Sequence, residues 1–123
     1  MDVRRVTLSE TAKDALQASL DTSAWEWPVI EQCLADLTAA VWRIGDDAWA
    51  ITVANADDEI DIIAGGGRGA NKATRPFLEA MERYPAHRGF TLRLEGRRGW
   101  MRFCKGWEIE EAGGGDVIMT KRV

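Results

Sequence analysis

The segment between Glu59 and Lys72 is the part of the sequence best suited to bind an anion. A strand pattern, Glu59–Ile63, runs into Ala64-Gly65-Gly66-Gly67-Arg68-Gly69-Ala70-Asn71-Lys72, and a helical pattern follows. A glycine-rich turn between a strand and a helix leaves backbone N–H groups free to meet an anion, and the helix dipole adds positive potential. The segment therefore predicts a phosphate site of the kind that a phosphorylated cofactor needs. The alternative is a flexible glycine connection that binds nothing.

A second candidate for anion binding is the basic cluster of Arg97, Arg98, Arg102 and Lys105, which contains no acidic residue. Helical spacing predicts Arg98, Arg102 and Lys105 on one face. Guanidinium groups suit phosphate, and Trp100 beside them could stack a base. The alternative is a solvated helix face whose charges pair with acidic residues elsewhere in the chain. Those residues are Glu95, Glu108, Glu110 and Glu111.

Length and composition indicate one folded domain over residues 1–123, since the chain is 46% hydrophobic and 29% charged. The net charge of −4 argues against general attraction to nucleic acid or to anionic lipid. No apolar run approaches the roughly 20 residues that span a bilayer. The first residues also lack the apolar core of a signal peptide, so we expect a cytoplasmic protein without membrane contact.

The remaining reactive side chains are sparse. Cys33 and Cys104 are typical of small core thiols in a reducing compartment, and the single His87 leaves no zinc ligand set. Tryptophan is abundant, with six residues, and most indoles are expected in the core because they bury a large apolar area. Three are predicted to lie there: Trp42, Trp49 and Trp107.

The pattern of apolar residues predicts the elements that position these groups. Two helices come first, followed by three strands joined by short turns, which indicates an antiparallel meander. A helix starting at Thr74 comes next, because Pro76 is tolerated in a first turn. It leads to a strand parallel to the third one, then to a short helix and a closing hairpin. The predicted strands are 41–44, 49–54, 59–63, 90–94, 107–110 and 117–120.

This order of elements resembles the GNAT fold, the acyl-CoA N-acyltransferase family, and locally it resembles short phage-encoded GNAT-like proteins. The resemblance implies an α+β fold with a mixed sheet: an antiparallel meander, a parallel β-α-β step and a C-terminal hairpin, with helices on both faces. Three stretches carry the resemblance: Ala40-Val41-Trp42 leading into the Trp49 strand; Ile62-Ile63-Ala64-Gly65-Gly66-Gly67; and Gly96-Arg97-Arg98-Gly99-Trp100-Met101-Arg102 with Lys105-Gly106-Trp107.

The resemblance also implies a cofactor, acetyl-CoA. Active members of the family carry a Q/R-x-x-G-x-G/A pattern whose backbone amides bind the pyrophosphate of coenzyme A. The segment Arg68–Ala73 matches at its two ends, with Asn71 in place of the middle glycine. Asparagine tolerates a left-handed backbone better than most residues do. The implied cofactor-binding residues are Gly67, Arg68, Gly69, Ala70, Asn71, Lys72 and Ala73, with Arg97, Arg98 and Arg102 contacting anionic groups.

Proton transfer is the point at which this chain departs from the family. Many members place a tyrosine on the short helix as the general acid, but here that stretch offers only Cys104, which a core position explains equally well. Family members often use a glutamate on or beside the strand before the loop as the general base. Glu59 and Asp61 are the available carboxylates, and a solvated strand face is the alternative explanation for them.

Two functions follow from these observations. The first is an N-acyltransferase that moves an acyl group from acetyl-CoA to an unidentified amine. The second is a non-catalytic phage accessory or virion protein, with a protein partner, on the same scaffold. The glycine segment and the arginines favour the first, whereas the altered loop pattern and the missing tyrosine favour the second. A phage-encoded protein would lie in the host cytoplasm or the virion, and either function is compatible with a homo-oligomer.

Overall fold

The structure, a computed structural model, describes residues 1–123. No helix in it is both long and apolar enough to cross a bilayer. The strands are β1 Val3–Val6, β2 Ala39–Ile44, β3 Ala48–Ala54, β4 Glu59–Gly67, β5 Thr91–Arg97, β6 Glu108–Gly113 and β7 Asp116–Arg122. The helices are α1 Glu10–Leu20, α2 Trp27–Ala35 and α3 Ala70–Arg83, with 3-10 helices at Pro85–His87 and Arg98–Phe103.

All seven strands belong to one mixed sheet, in the order β1-β2-β3-β4-β5-β7-β6. β1 to β4 pair antiparallel, α3 carries the chain from β4 to the parallel strand β5, and β7 pairs antiparallel with both β5 and β6. The predicted meander, parallel step and closing hairpin are therefore confirmed. The second strand of the closing hairpin, β7, lies between β5 and β6 in the sheet.

β4 and β5 diverge after a short paired segment. Their pairing runs only from Glu59↔Thr91 to Asp61↔Arg93, although β4 continues to Gly67 and β5 to Arg97. Beyond that point β4 stays paired with β3, and β5 stays paired with β7. A β-bulge in β4 accompanies the divergence, because pairing with β3 skips Ile63, and bulges bend a strand. The sheet therefore opens between its two parallel strands.

The sheet separates two hydrophobic clusters. One lies under α3 and contains Trp42 and Trp107, and the other lies under α1 and α2 and contains Trp49. All three tryptophans are buried, which confirms their predicted core positions. Helices cover both faces, as the resemblance implied.

The predicted strand 59–63 and the predicted helix start at Thr74 imply a loop over the whole glycine segment, and this is wrong. Gly65, Gly66 and Gly67 belong to β4 and pair with Ala50, Trp49 and Ala48 of β3. A Cβ at Gly66 would lie 2.1 Å from the carbonyl oxygen of Ala15 in α1, and one at Gly67 would lie 2.2 Å from that of Asp47. Glycine is required here because α1 and the β2–β3 turn approach the strand closely.

The predicted start of α3 at Thr74 is also wrong. Gly69 adopts a left-handed conformation with φ 72, which reverses the chain directly after β4, and the helix begins at Ala70. Pro76 then lies inside the helix and deprives the Lys72 carbonyl of its helical donor. The buried face of α3 outweighs that loss. It consists of Ala73, Phe77, Leu78 and Met81.

Three further elements differ from the prediction. β1 was not predicted, because a four-residue strand with two arginines has too little pattern of apolar residues. The apolar stripe that runs from Val29 to Leu37 predicts a second helix to about Thr38, but α2 ends at Ala35. The Arg98–Phe103 helix has 3-10 geometry, in which residues three apart lie on one face. Arg98, Arg102 and Lys105 therefore do not share the face that α-helical spacing predicted.

Candidate anion-binding site

The turn from β4 into α3 consists only of Arg68 and Gly69. The Arg68 N–H donates to the Asp47 carbonyl at 2.8 Å, and the N–H groups of Lys72 and Ala73 donate to the Gly69 carbonyl at 3.0 and 3.1 Å. The N–H groups of Gly69, Ala70 and Asn71 precede these, where helix geometry provides no intrahelical acceptor. Three successive backbone N–H groups therefore have no partner within the helix at its N-terminus, which is the positive end of the helix dipole.

Space beside Gly69 is open, in contrast to the neighbouring glycines. No atom lies within 4 Å of the position that a Cβ at Gly69 would occupy. Gly66 and Gly67 pack against backbone, so they shape the strand, whereas Gly69 borders solvent where the amides are exposed. Of the predicted binding segment, Gly69, Ala70 and Asn71 are therefore best placed to meet a ligand, and Ala73 is buried in the α3 core.

Basic side chains are concentrated at the start of α3 and on the segment from Arg97 to Lys105. Arg68 lies in the turn before α3, and Lys72 and Arg75 lie in its first turns. The Arg75 guanidinium donates to the Arg102 carbonyl at 3.4 Å, which joins α3 to the Arg98–Phe103 helix. We call this surface the basic rim. Its members are Arg68, Lys72, Arg75, Arg97, Arg98, Arg102 and Lys105.

The arginines of the basic rim differ in availability. Arg98 forms an ion pair with Glu111, one of the acidic residues that the alternative interpretation named. Arg97 and Arg102 are exposed and form no ion pair with any carboxylate. The Arg102 guanidinium lies 4.7 Å from the centre of the Phe103 ring. Both alternatives thus hold in part: Arg98 is paired, whereas Arg97 and Arg102 are free to meet an anion.

Trp100 lies beside the basic rim. Its indole covers Gly96 of β5, where a Cβ would come within 3.1 Å of the ring, and its ring centre is 5.7 Å from that of Phe103. The side chain is 37% exposed. An exposed indole held on two sides can stack a planar group.

The two candidate bases, Glu59 and Asp61, lie on β4 at the point where the strands separate. The Asn55 side-chain amide donates to Glu59 at 3.0 Å and to Asp61 at 3.5 Å. Arg93 pairs with Asp61 at 3.5 Å and with Glu95 at 3.0 Å. The structure therefore brings the two carboxylates together, because both accept from Asn55. Arg93 of β5 contacts Asp61 of β4 across the last residue pair of the parallel strands.

Burial raises the pKa of Asp61, and the charge of Arg93 and the Asn55 hydrogen bond oppose that rise. Sequence reasoning did not find Arg93 or Asn55. Strand alternation with a parallel pairing of residues 61 and 93 would have signalled Arg93. Asn55 joins the group only because it folds back in the β3–β4 turn, where its side chain also accepts the N–H groups of Asp57 and Glu59.

Cys104 lies apart from these groups, in the core beneath α3. It is only 2% exposed, and burial, with a smaller effect from Glu82, raises the pKa of its thiol to about 11. The core interpretation of Cys104 is thus confirmed. A thiol with that pKa is a weak proton donor to a departing thiolate, whose pKa is near the ordinary value of about 8.5.

No three His, Cys, Asp or Glu side chains are grouped so as to hold a metal ion. The arrangement is instead one of backbone donors and cations at one side of a sheet opening, with the half-buried carboxylates of Glu59 and Asp61 at its base. Such a site can hold an anionic ligand at its mouth and exchange protons deeper inside.

No protein-family model matches the sequence, and no curated protein matches it. The structure is similar to the crystal structure of a Bacillus subtilis acetyltransferase in complex with CoA, with a TM-score of 0.65 and 10% sequence identity. The likeness covers 96% of this chain and 95% of that chain. At this identity it shows the fold, and it confirms the GNAT-like architecture.

Proposed function

We propose that this protein is an acyl-CoA-dependent N-acyltransferase that binds acetyl-CoA in the opening between β4 and β5. The observation that carries the proposal is the parallel pairing that ends at Asp61↔Arg93, with the α3 amides and the basic rim at the mouth of the resulting opening. The similar Bacillus subtilis acetyltransferase is a CoA complex, which supports the same class of ligand here.

The residues at the mouth fit a pyrophosphate. The amides of Gly69, Ala70 and Asn71 would hold its oxygens, and the open space beside Gly69 gives them access. Cations of the basic rim would offset the remaining negative charge, chiefly Arg97 and Arg102, which have no carboxylate partner.

The part of β5 that β4 no longer pairs with can bind an extended ligand that carries amide groups. The Thr91 N–H donates to the Asp58 carbonyl on the β4 side at 2.9 Å. Backbone groups alternate along a strand, so those of Glu95 and Arg97 point into the opening where β4 no longer meets them. Such unpaired groups can bind an extended ligand as an added strand.

When bound, acetyl-CoA supplies a thioester whose carbonyl carbon an amine can attack. A C–N bond forms and the C–S bond breaks, while the amine nitrogen loses a proton and the sulfur gains one. Asp61 is the assigned proton acceptor, because it lies at the last paired position and burial raises its pKa. Asn55 and Arg93 orient its carboxylate. No side chain is assigned to protonate the sulfur. Water supplies that proton, and the hydroxide that remains takes up the proton held by Asp61, which restores the carboxylate.

The test is release of free thiol from acetyl-CoA in the presence of primary amines. Asp61→Asn should lower kcat by about 10²-fold or more, the usual contribution of a general base. Glu59→Gln is the matched control, because it removes a neighbouring carboxylate that also bonds to Asn55, and it should change kcat by less than about tenfold. Equal activity of Asp61→Asn and the wild type, with both folded by circular dichroism, would contradict the assignment.

A second candidate function is a binding protein without chemistry on this scaffold. The burial of Cys104 and the absence of tyrosine from the Arg98–Phe103 helix favour it, because no protein group there can protonate a thiolate. A protein with this function is expected to bind CoA but to release no thiol from acetyl-CoA with any amine. Its assignment to a phage accessory or virion protein stays a prediction from the sequence resemblance.

A further inference from the structure

The two edges of the sheet carry opposite charges. β1 forms one edge and β6 the other, and neither pairs with a further strand. β1 consists of Val3, Arg4, Arg5 and Val6, whereas β6 begins Glu108-Ile109-Glu110-Glu111 and is exposed along its whole length. The N–H and C=O groups of an unpaired edge are available to another strand.

The charges of β1 are divided between the two faces of the sheet. Val3 packs against the cluster under α3, and Val6 packs against the cluster under α1 and α2. Since side chains alternate along a strand, Arg5 lies on the α3 side and Arg4 on the α1 side.

The side chains of β6 are divided in the same way. Ile109 and Glu111 pair across the strands with Met119 and Val117, which belong to the α3-side core. Directly opposite residues share a face, so Ile109 and Glu111 lie on the α3 side. Glu108 and Glu110 lie on the α1 side. Each face thus has arginine at one edge of the sheet and glutamate at the other.

A groove of about 370 Å³ borders the β1 edge on the α3 side. Val3 and Trp42 contribute apolar surface to it, and Arg83 of α3 lines it too. Neither Arg5 nor Arg83 forms an ion pair. The opposite edge offers a matching apolar group on the same face, since Ile109 is 45% exposed.

We propose that the acidic β6 edge of one copy pairs with the basic β1 edge of a second copy. The two edge strands run in opposite directions within the sheet, as the strand pairings require. A second copy in the same orientation therefore extends the sheet by antiparallel pairing with its faces matched. Glu108 and Glu110 then meet Arg4, whereas Ile109 and Glu111 enter the groove beside Arg5.

Charge also selects this arrangement over the alternatives. Two β1 edges would repel each other, and so would two β6 edges, which disfavours a two-fold dimer through either edge. The existing pairs of these residues, Arg4 with Asp2 and Glu111 with Arg98, are exposed and exchange at little cost. The contact is heterologous, so copies add head to tail into a ring or an open chain.

Sedimentation velocity over a concentration series tests the proposal, with salt as a second variable. The wild type should associate reversibly at low ionic strength, and salt should weaken the association by screening the charges. Two charge-reversed proteins carry the main comparison. Arg4→Glu with Arg5→Glu makes both edges acidic, and Glu108→Lys with Glu110→Lys makes both edges basic, so each alone should be monomeric.

An equimolar mixture of the two reversed proteins should associate again, because each supplies the edge that the other lacks. A wild type that stays monomeric up to millimolar concentration would overturn the proposal, as would a mixture no more associated than its components. Association that persists unchanged in both reversed proteins would also overturn it, since another surface must then be responsible. If either reversal prevents folding, Arg5→Gln and Glu110→Gln should each weaken wild-type association several-fold, and unchanged association in both would refute the contact.

Discussion

At the scale of single residues, burial decides what a reactive side chain can do. Cys104 and Asp61 were both predicted as candidates for proton transfer. The structure places the Cys104 thiol in the core, where burial raises its pKa to about 11, and it places Asp61 at the sheet opening between Asn55 and Arg93. The residue types could be read from the sequence. Their burial could not, because it depends on how α3 and the Arg98–Phe103 helix cover β5 and β7.

The buried thiol makes stability depend on alkaline pH. Folded Cys104 keeps its proton up to a pKa of about 11, whereas an exposed thiol ionises near 9.0. Between those values the unfolded state binds fewer protons, so the free energy of unfolding is at its full value below pH 9 and falls as pH rises. The two-unit difference corresponds to about 2–3 kcal/mol.

Urea unfolding of Cys104→Ala between pH 8 and 11 should therefore show a shallower loss of stability than the wild type. Cys33→Ala, at a half-buried thiol, is the control and should retain the wild-type slope. Parallel slopes for the wild type and Cys104→Ala would show that this thiol does not ionise on unfolding.

At the level of the strands and helices, the glycines of β4 limit what the sequence can predict. The order of the elements and the parallel step were predictable, because apolar periodicity and short turns restrict the topology. The bounds of β4 were not, because Gly65, Gly66 and Gly67 lack the side chains on which periodicity depends. The reason for glycine at these positions is a tertiary contact with α1 and with the β2–β3 turn, and no local pattern records it.

Gly66→Ala should destabilise the protein by about 1–3 kcal/mol or more, because its Cβ would overlap the Ala15 carbonyl and push α1 away from the sheet. Gly65→Ala is the matched control. Its Cβ would lie 3.9 Å from the nearest atom, the Trp49 carbonyl oxygen, so its stability should stay close to that of the wild type or rise. Denaturant midpoints that are equal for the two variants would contradict the close packing of α1 on β4.

In the molecule as a whole the net charge is only −4, but positive and negative side chains are concentrated in different places. Cations collect at the mouth of the sheet opening, the carboxylates of Glu59 and Asp61 lie at its base, and the two sheet edges have opposite signs. The sequence showed the cluster of arginines but not Arg75 beside it, because only the fold brings α3 next to the Arg98–Phe103 helix. Of these features, the proposed cofactor site depends on the divergence of β4 and β5.

Calorimetric titration of CoA into the wild type and two Gly69 variants is the most direct test of that site. Aspartate and asparagine both tolerate the left-handed conformation that Gly69 adopts, and they have nearly the same shape. The affinity of Gly69→Asn for CoA should stay within a few-fold of that of the wild type. Gly69→Asp should bind CoA at least tenfold more weakly, because its carboxylate would accept hydrogen bonds from the α3 amides and repel the pyrophosphate. The aspartate would cap α3, so the fold should stay intact. Equal affinities of the Asp and Asn variants, or no binding by the wild type at millimolar CoA, would contradict the proposed site.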